Sequence, residues 1–274
     1  MEGTAEDFDR VPRNTAHLYL RSCLDFHFST IEWSDDDIIL DIGCGPGRIT
    51  KEILLPKCPK LKKLVAIDVD PSSIEYARKT YFAEKIEYKT QDILKGMDLE
   101  ENRKYDKIVS FFTFQLIPDF EKLFSVISSI LKPGGFFFFT IVTKAHMFTF
   151  MRELTAIKEW SKYIKTEEVL SLIPPTSNWE DVETEFKKFL TKFELRVKSS
   201  KCDVITLSFV DKKQFLDFFL YVFPKAMFKN MEPDVKCRLW KMAEPIALRS
   251  FFQSKNGEGV HSYEVLQVSG YKEM

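Results

Sequence analysis

Three glycines at alternate positions, Gly43, Gly45 and Gly47, stand between an apolar run and a helical pattern in the segment LDIGCGPGRITKEILL. Two aspartates follow at further strand ends: Asp68, about twenty residues beyond the last glycine, and then Asp92. Glycine lets the backbone take positive φ angles and lets a ligand approach it closely. A helix starting just after such a turn adds free N–H groups and a positive dipole end. A carboxylate at Asp68 can accept hydrogen bonds from both hydroxyls of a ribose. Asp92 can accept one from an adenine amino group, with Ile93 packed on the ring. Each feature has a plainer reading: a tight turn for the loop, a cap or strand end for the aspartates. Asp70 or Ser72 can cap the next helix in place of Asp68. Together the three describe a nucleoside site.

The elements that must position them are legible as patterns. Ile38 to Leu40 form a short apolar run ending at Asp41, which predicts a strand buried on both faces. Ile49, Ile53 and Leu54 then recur at helical spacing until Pro56. KLVAIDVD predicts a second strand ending at Asp68, and PSSIEYARKTYF a helix. KIEYKTQDI predicts a third strand ending near Asp92, and YDKIVSFFTFQLI a fourth centred on Ile108 and Val109. FEKLFSVISSILKPGG reads as an amphipathic helix stopped by Pro133, Gly134 and Gly135, and FFFFTIV as a fifth buried strand. This alternation implies a parallel sheet with helices on both faces and a ligand edge beyond the strands' carboxyl ends.

The second half differs. Residues 146–192 read as mainly helical, broken at PPTSNW. FELRVKSSKCDVITLSF reads as a strand pair or one long bent strand. KKQFLDFFLYVF and VKCRLWKMAEPIALRSFF read as helices, and SYEVLQVSGYK as a closing strand. The apolar supply is heavy: Phe112, Phe114, Met147, Phe148, Phe150, Met151, Trp160, Phe215, Phe218, Phe219, Tyr221, Phe223, Met227 and Phe228. Any one of these suits a core. As a set they are expected to include the lining of an apolar pocket over the ligand edge.

With 274 residues, 45% of them hydrophobic, the chain has enough apolar material for a large core. Its formal net charge of −1 leaves no basic footprint, so no nucleic-acid partner is expected. The first ten residues, MEGTAEDFDR, are acidic and polar, unlike a secretory signal. The longest strongly apolar run, Phe136 to Val142, is too short to span a bilayer, so no stable membrane insertion is expected. Cys23, Cys44, Cys58, Cys202 and Cys237 are scattered without a CxxC pair, which suits reduced thiols in a cytoplasmic protein. The histidines lack metal-ligand spacing, and no metal is expected. The sequence carries no signal of oligomeric state.

The order LDIGCGPG, AIDVDPSSIEYAR, QDI, YDKIVS and LKPGG, from about residue 37 to 142, resembles the class I S-adenosylmethionine-dependent methyltransferases. The glycine spacing is GxGxG, unlike the GxGxxG of pyrophosphate-binding dehydrogenases. The resemblance implies an α/β fold with a Rossmann-like, seven-stranded, mostly parallel sheet. A helical, aromatic-rich cap would sit over it. Residues 1–145 would form the N-terminal helix and the S-adenosyl-L-methionine-binding core. Residues 146–274 would form the cap and the strands completing the sheet and acceptor pocket, all in one structural domain. It implies that Asp41, Gly43, Cys44, Gly45 and Gly47 hold the methionine end, Asp68 with Val69 the ribose, and Asp92 with Ile93 the adenine. Ser110 and Phe111 would border the sulfonium. Within the superfamily the chain is similar to the arthropod juvenile hormone acid methyltransferases, through SFFTFQLIPDFEKLFSVISSILKPGG, LYLRSCLDFH and the late order of elements. Where that family has a His-Trp pair after the fourth strand, this chain has Gln115 and Leu116. Where it has an N-terminal glutamine, this chain offers His17 or Asn14.

The resemblance implies methylation of a lipophilic carboxylic acid of the farnesoic acid or juvenile hormone acid type. Such an acid is ionised near pH 7 and needs no general base. Gln115, with His17 second, is the expected neutral donor orienting it. A small amine such as histamine is the alternative acceptor, and a non-catalytic cofactor-binding interaction module the alternative of another class. SFFTFQ does not resemble the Asn-Pro-Pro-Tyr-like motif common among base methylases. Arsenic methylation would need converging cysteines, and only Cys44 falls near the loop.

Overall fold

The computed structural model describes residues 4–11, 13–95, 103–222, 231–251, 253–255 and 258–274. Two helices lead, α1 (Ala5–Arg10) and α2 (Asn14–Phe28). Strand β1 (Ile38–Ile42) runs into the glycine turn and a π-helical segment (Thr50–Leu54), followed by β2 (Lys63–Asp68) and α3 (Pro71–Thr80). Then come β3 (Ile86–Thr90), β4 (Tyr105–Phe111), α4 (Phe120–Ile130) and β5 (Leu131–Ala145). Helices α5 (His146–Thr155), α6 (Thr166–Ser171) and α7 (Val182–Thr191) lead to β6 (Leu195–Phe209). Helices α8 (Lys212–Val222) and α9 (Pro233–Phe251), a short β7 (Gln253–Lys255) and β8 (Glu258–Lys272) close the chain.

The main path of the sheet has seven strands in the order β3-β2-β1-β4-β5-β8-β6, with β7 paired to β8 off that path. Strands β1 to β5 pair in parallel, and β8 lies antiparallel between β5 and β6. Strand order reverses direction between β1 and β4, so their carboxyl ends splay over a crevice suited to a ligand. The expected seven-stranded, mostly parallel architecture is what the chain forms.

The sheet's two faces are set by the two-residue period of its strands. Phe137 and Phe139 stack 5.2 Å apart at 14° on the face covered by α4 and α7. Phe136 and Phe138 point the other way and meet Phe28 of α2 edge-on. Each such ring, fully withdrawn from water, contributes on the order of 1.5–3 kcal/mol. Helix α4 follows from Phe120, Leu123, Phe124, Ile127 and Ile130, all buried at i, i+3, i+4 spacing, and from Asp119, whose side chain accepts from Lys122 N at 2.9 Å. It ends before the proline: Leu131 turns extended and pairs with Tyr105, so KPGG lies within β5, with Gly134 at φ +71°. The third strand likewise stops at Thr90, short of Asp92. FELRVKSSKCDVITLSF is one long strand whose register shifts between Val197 and Ser199.

The expected aromatic pocket is mostly a core. Met147, Phe148, Phe150, Met151, Trp160, Phe215, Phe218 and Phe219 pack together under α8 and α9, each 9% exposed or less, and Phe114 is buried on the α4 face. Phe223, Met227 and Phe228, and the Tyr221 side chain, lie outside the described residues. Rings this large fill the space between helix layer and sheet, and burial outcompetes a role in lining an open site.

Burial also acts on histidines. His261, 8% exposed among aromatic rings, is pushed down to about 4, by desolvation first and by His146 second. His27 is lowered by burial, although its bond to Gln267 acts the other way. The unfolded chain therefore binds protons below about 6.5 that the folded chain refuses. Stability is complete above that pH and should fall as the pH drops from about 6.5 toward 4. Denaturant melts at stepped pH should show this slope, and His261→Phe should make it shallower. A slope unchanged by the substitution rules out His261 as a source.

Candidate active site

A cavity of about 520 Å³ opens where β1 and β4 diverge, a volume within the range of small-molecule sites. Its floor is the glycine turn, and the three glycines there serve three different needs. Gly43, at φ +77°, has no room for a side chain, because an added Cβ would lie 2.1 Å from Thr113 Cγ2. Thr113 Oγ1 in turn donates to Gly43 O at 3.1 Å, so the loops after β1 and β4 lock together. Gly47, at φ +91°, faces Ala77 and Tyr88, where a Cβ would meet contacts of 2.8 and 3.0 Å. Gly45, at φ +53°, faces open space: nothing lies within 4 Å of its added Cβ. The outer two glycines permit packing, and the middle one clears a cradle at the cavity floor.

The backbone of this turn is held from β2. Gly43 N and Cys44 N both donate to Ile67 O, at 2.8 and 3.0 Å. Gly45 N donates to Asp68 Oδ2 at 2.8 Å, and Asp70 N to Asp68 Oδ1 at 2.9 Å. Both carboxylate oxygens of Asp68 are thus tied to backbone at the edge of the cavity. Asp70, whose side chain accepts from Ser72 N, caps α3 and releases Asp68 from that duty.

Gly43, Cys44, Gly45, Asp68, Val69, Asp92, Ile93 and Phe111 all line the cavity, so one space collects them from four strand ends. Val69 is 65% exposed at its mouth. Asp41, Gly47 and Ser110 stand behind the wall. Asp41 Oδ2 accepts from Thr50 Oγ1 at 2.7 Å, tying the strand end to the helix that follows, while its Oδ1 is buried without a hydrogen-bond partner. Burial pushes its carboxyl up to about 7, with the Thr50 bond opposing and the Asp68 charge adding to the rise. Ser110 is fully buried and donates to Ile42 O at 2.8 Å. Burial, with Asp41 and Asp68 beside it, raises the Cys44 thiol well above the usual range and keeps it neutral.

The two residues expected to orient an acceptor do not face the cavity. Gln115 Nε2 donates to Phe112 O at 2.5 Å, and its Oε1 accepts from Val142 N at 3.2 Å. Both ends of the amide are spent on fixing the loop to β5, which holds Phe112 in the left-handed region at φ +53°. His17 lies outside the lining on α2, and desolvation, then the charges of Arg13, Arg48 and Arg21, lower it to about 4, so it is neutral. Among the described residues, no histidine lines the cavity.

Other lining residues were not singled out by the sequence. Phe8, Asp9 and Arg13 come from α1 and the turn into α2, and Leu172 and Val222 from the C-terminal half. Asp9, 3% exposed, receives two hydrogen bonds from Arg48, at 2.9 and 3.0 Å, and one each from Tyr81 and Tyr76, at 2.6 and 3.2 Å. That cluster straps α1 across the turn and α3. A signal for α1 was present in the sequence: Thr4 and Asp7 form a capping box, each side chain bonded to the other's backbone N–H.

The packing of the turn predicts a graded alanine series. Gly43→Ala and Gly47→Ala should lower the melting temperature sharply or prevent folding, because the new Cβ meets atoms that fold-defining contacts hold in place. Gly45→Ala should cost only the positive-φ strain, about 1 kcal/mol, and thermal melts of the three variants check the order.

A family model described as a methyltransferase domain matches residues 34–193, more than half of the chain and all of the first four strands with the cavity floor. Juvenile hormone acid O-methyltransferase of Bombyx mori is 28% identical over 191 residues, covering 65% of this chain and 68% of that protein. Malonyl-[acyl-carrier protein] O-methyltransferase of Acetivibrio thermocellus is 38% identical over 109 residues, covering 40% of this chain and 36% of that protein. Among solved structures, the YcgJ protein from Bacillus subtilis superposes with a TM-score of 0.56 at 15% identity, covering 92% of this chain and 99% of that one. Geranyl diphosphate C-methyltransferase from Streptomyces coelicolor, solved with S-adenosyl-L-homocysteine, gives 0.51 at 13% identity, covering 93% and 80%. The open cradle at Gly45 with the Asp68 carboxylate beside it fits the cofactor of such folds, and the chain belongs to the methyltransferase domain family, as a class I enzyme fold that uses S-adenosylmethionine.

Proposed function

We propose that the protein transfers a methyl group from S-adenosylmethionine to the carboxylate of a lipophilic acid, of the farnesoic acid or juvenile hormone acid type. The observation that carries this reading is the make-up of the cavity wall. Part of it is apolar, with Phe112, Leu116, Leu172 and Val222, and among the described residues it presents no histidine to act as a base. An ionised acid loses no proton on methylation, whereas an ammonium must be deprotonated first. Two kinds of relative point the same way, since a juvenile hormone acid and a malonyl group both offer a free carboxylate.

In this proposal Asp68 accepts from the ribose hydroxyls, with Val69 covering that edge, and Asp92 with Ile93 takes the adenine. Gly43, Cys44 and Gly45 hold the methionine end, with Phe111 bordering the sulfonium. Asp41, Gly47 and Ser110 act from behind, by keeping the turn in shape. When bound, S-adenosylmethionine supplies an electrophilic methyl whose bond to sulfur breaks, with its electron pair returning to sulfur, as the acceptor oxygen bonds the carbon. The chain's part is to align the acceptor behind that methyl and keep water away. The neutral Cys44 thiol offers no competing nucleophile. Gln115 contributes by fixing Phe112 at the cavity wall. Among the described residues, no helix is long and apolar enough to cross a membrane. The five free cysteines suit a reducing compartment, and we place the reaction in the cytoplasm.

Two measurements test this. Asp68→Ala should weaken S-adenosylmethionine binding by about 1–3 kcal/mol in calorimetry, the loss of a buried polar contact. Unchanged affinity removes Asp68 from the ribose site. Methyl transfer from radiolabelled S-adenosylmethionine to farnesoic acid, fatty acids, small diacids and histamine should give extractable label with a lipophilic acid, and mild base should release it as an ester. Base-stable label on histamine would replace the carboxylate reading with N-methylation.

A further inference from the structure

We infer that the Phe112 ring sets how wide an acceptor the cavity admits, and that Gln115 is the positioning residue that holds the ring to that task. This rests on the proposed function in taking the acceptor to be lipophilic, and it names the side chain that makes the site selective by shape.

Three non-glycine residues among those described have positive φ, Arg103, Phe112 and Glu194, and of these only Phe112 lines the cavity. Left-handed backbone is costly for a bulky side chain and persists where the surroundings over-determine it. At Phe112 they do. Its N–H donates to Thr140 O at 2.9 Å, and its carbonyl accepts from Gln115 Nε2 at 2.5 Å. Gln115 is itself buried and anchored, because its Oε1 accepts from Val142 N at 3.2 Å. On the other side, Thr113 ties the same loop to Gly43 O.

The strained backbone redirects the ring. Along β4, Ile108 packs on the α4 face, while Val109 and Phe111 pack on the α2 face. By the two-residue period of a strand, an extended residue 112 would follow Ile108 to the α4 face. Phe112 packs instead against the α2-face cluster and the cluster of the C-terminal half. Tyr263 of β8 meets it edge-on there, with centroids 6.4 Å apart at 86°. The positive φ therefore delivers a ring to the cavity that regular strand geometry would bury elsewhere.

Strand order places this ring away from the nucleoside edge. The strand ends run β3, β2, β1, β4 across the sheet, and they carry Asp92, Asp68, the glycine turn and Phe112 in that order. With adenosine at the first two and the methionine end over the turn, the β4 end is left for the acceptor. Leu116 lines the cavity from the same loop. A ring whose backbone is pinned on both sides yields little to a wide ligand, so it limits shape as packed interiors do.

The test uses ligands of three widths, each as acid and alcohol: myristic acid and tetradecanol, farnesoic acid and farnesol, retinoic acid and retinol. Their binding to the full chain is measured by calorimetry with S-adenosylhomocysteine present. Wild type should bind the straight and farnesyl chains more tightly than the ring-bearing retinyl ligands. F112G takes the same φ without strain and removes the ring. It should narrow the gap between farnesyl and retinyl ligands about tenfold or more, the scale of a changed apolar contact in a pocket, with S-adenosylhomocysteine affinity unchanged. Phe112→Asn, also tolerant of left-handed backbone, serves in its place if F112G does not fold. Q115M, which forms neither amide bond, should shift the preference part of the way in wild type and no further in F112G, while lowering the melting temperature equally in both. An F112G protein that keeps the wild-type width preference overturns the inference. A shift of equal size from Q115M in both backgrounds overturns the positioning role. S-adenosylhomocysteine binding that weakens in F112G at unchanged width preference overturns it too, and moves the ring to the cofactor. The alcohols report width without a carboxylate, so a wild type that methylates no acid removes the proposed reaction while the width test still decides this inference. A wild type that binds none of the six removes the lipophilic acceptor and the inference together.

Discussion

The site depends on one steric constraint, the missing side chain at Gly43. Thr113 fills the volume that any Cβ there would need, and its hydroxyl bonds the Gly43 carbonyl. This contact joins the loop after β1 to the loop after β4, the two strands on either side of the topological switch. The same turn hangs from the Ile67 carbonyl through two amides and from Asp68 through a third. Three strand ends are thereby fixed relative to one another by short bonds within a few residues. A cavity floor made this way is preorganised, since little backbone remains to be ordered when a ligand arrives.

The polar groups beneath that floor are as constrained as those facing it. Asp41 is buried, bonded to Thr50 by one oxygen, and raised to about 7 with Asp68 nearby. Burial there favours the neutral carboxyl, and a further donor close to Oδ1 would favour the charged form. On the opposite side, Asp9 brings α1 to Arg48, Tyr76 and Tyr81, so that a segment far from the turn in sequence becomes part of the wall. A buried carboxylate with four donors is costly to break, because truncating it leaves Arg48 without its partner. The N-terminal helix is thus tied to the floor by chemistry and not by apolar packing alone.

The parallel half of the fold was readable because each β–α unit carries local signals. Apolar runs end at aspartates, Asp119 caps α4, and glycines stand where φ is positive. The grouping of the strand-end residues was readable for the same reason, since they lie within short motifs, and eight of the eleven named line one cavity. What misled is long-range. Gln115 has the right chemistry and lies on the right loop, yet its orientation is decided by Val142, twenty-seven residues away in sequence. The aromatic residues of the C-terminal half were visible as a supply, but no periodicity separates a ring that lines a pocket from one that fills a core. Asp9 escaped notice because its partners, Arg48, Tyr76 and Tyr81, lie far along the chain and are brought near only by the fold.

Charge placement connects these points to the chemistry. One edge of the cavity is acidic, with Asp68, Asp70 and Asp92, while Arg13 comes to the lining from the N-terminal segment and Arg48 from just after the glycine turn. One arginine is neutralised by Asp9 and the other rests on a phenylalanine. An acidic edge attracts a ligand with hydroxyl and amino donors, and an apolar lining attracts one with a hydrocarbon tail. A sulfonium and a carboxylate brought together in such a space annihilate their charges on reaction. A wall of low polarity disfavours the separated ions more than the neutral ester and thioether. The same wall would penalise an ammonium acceptor, which must first give up a proton where the described lining offers no histidine to take it. The apolar lining therefore agrees with the proposed reading, in which charge is lost as the methyl moves.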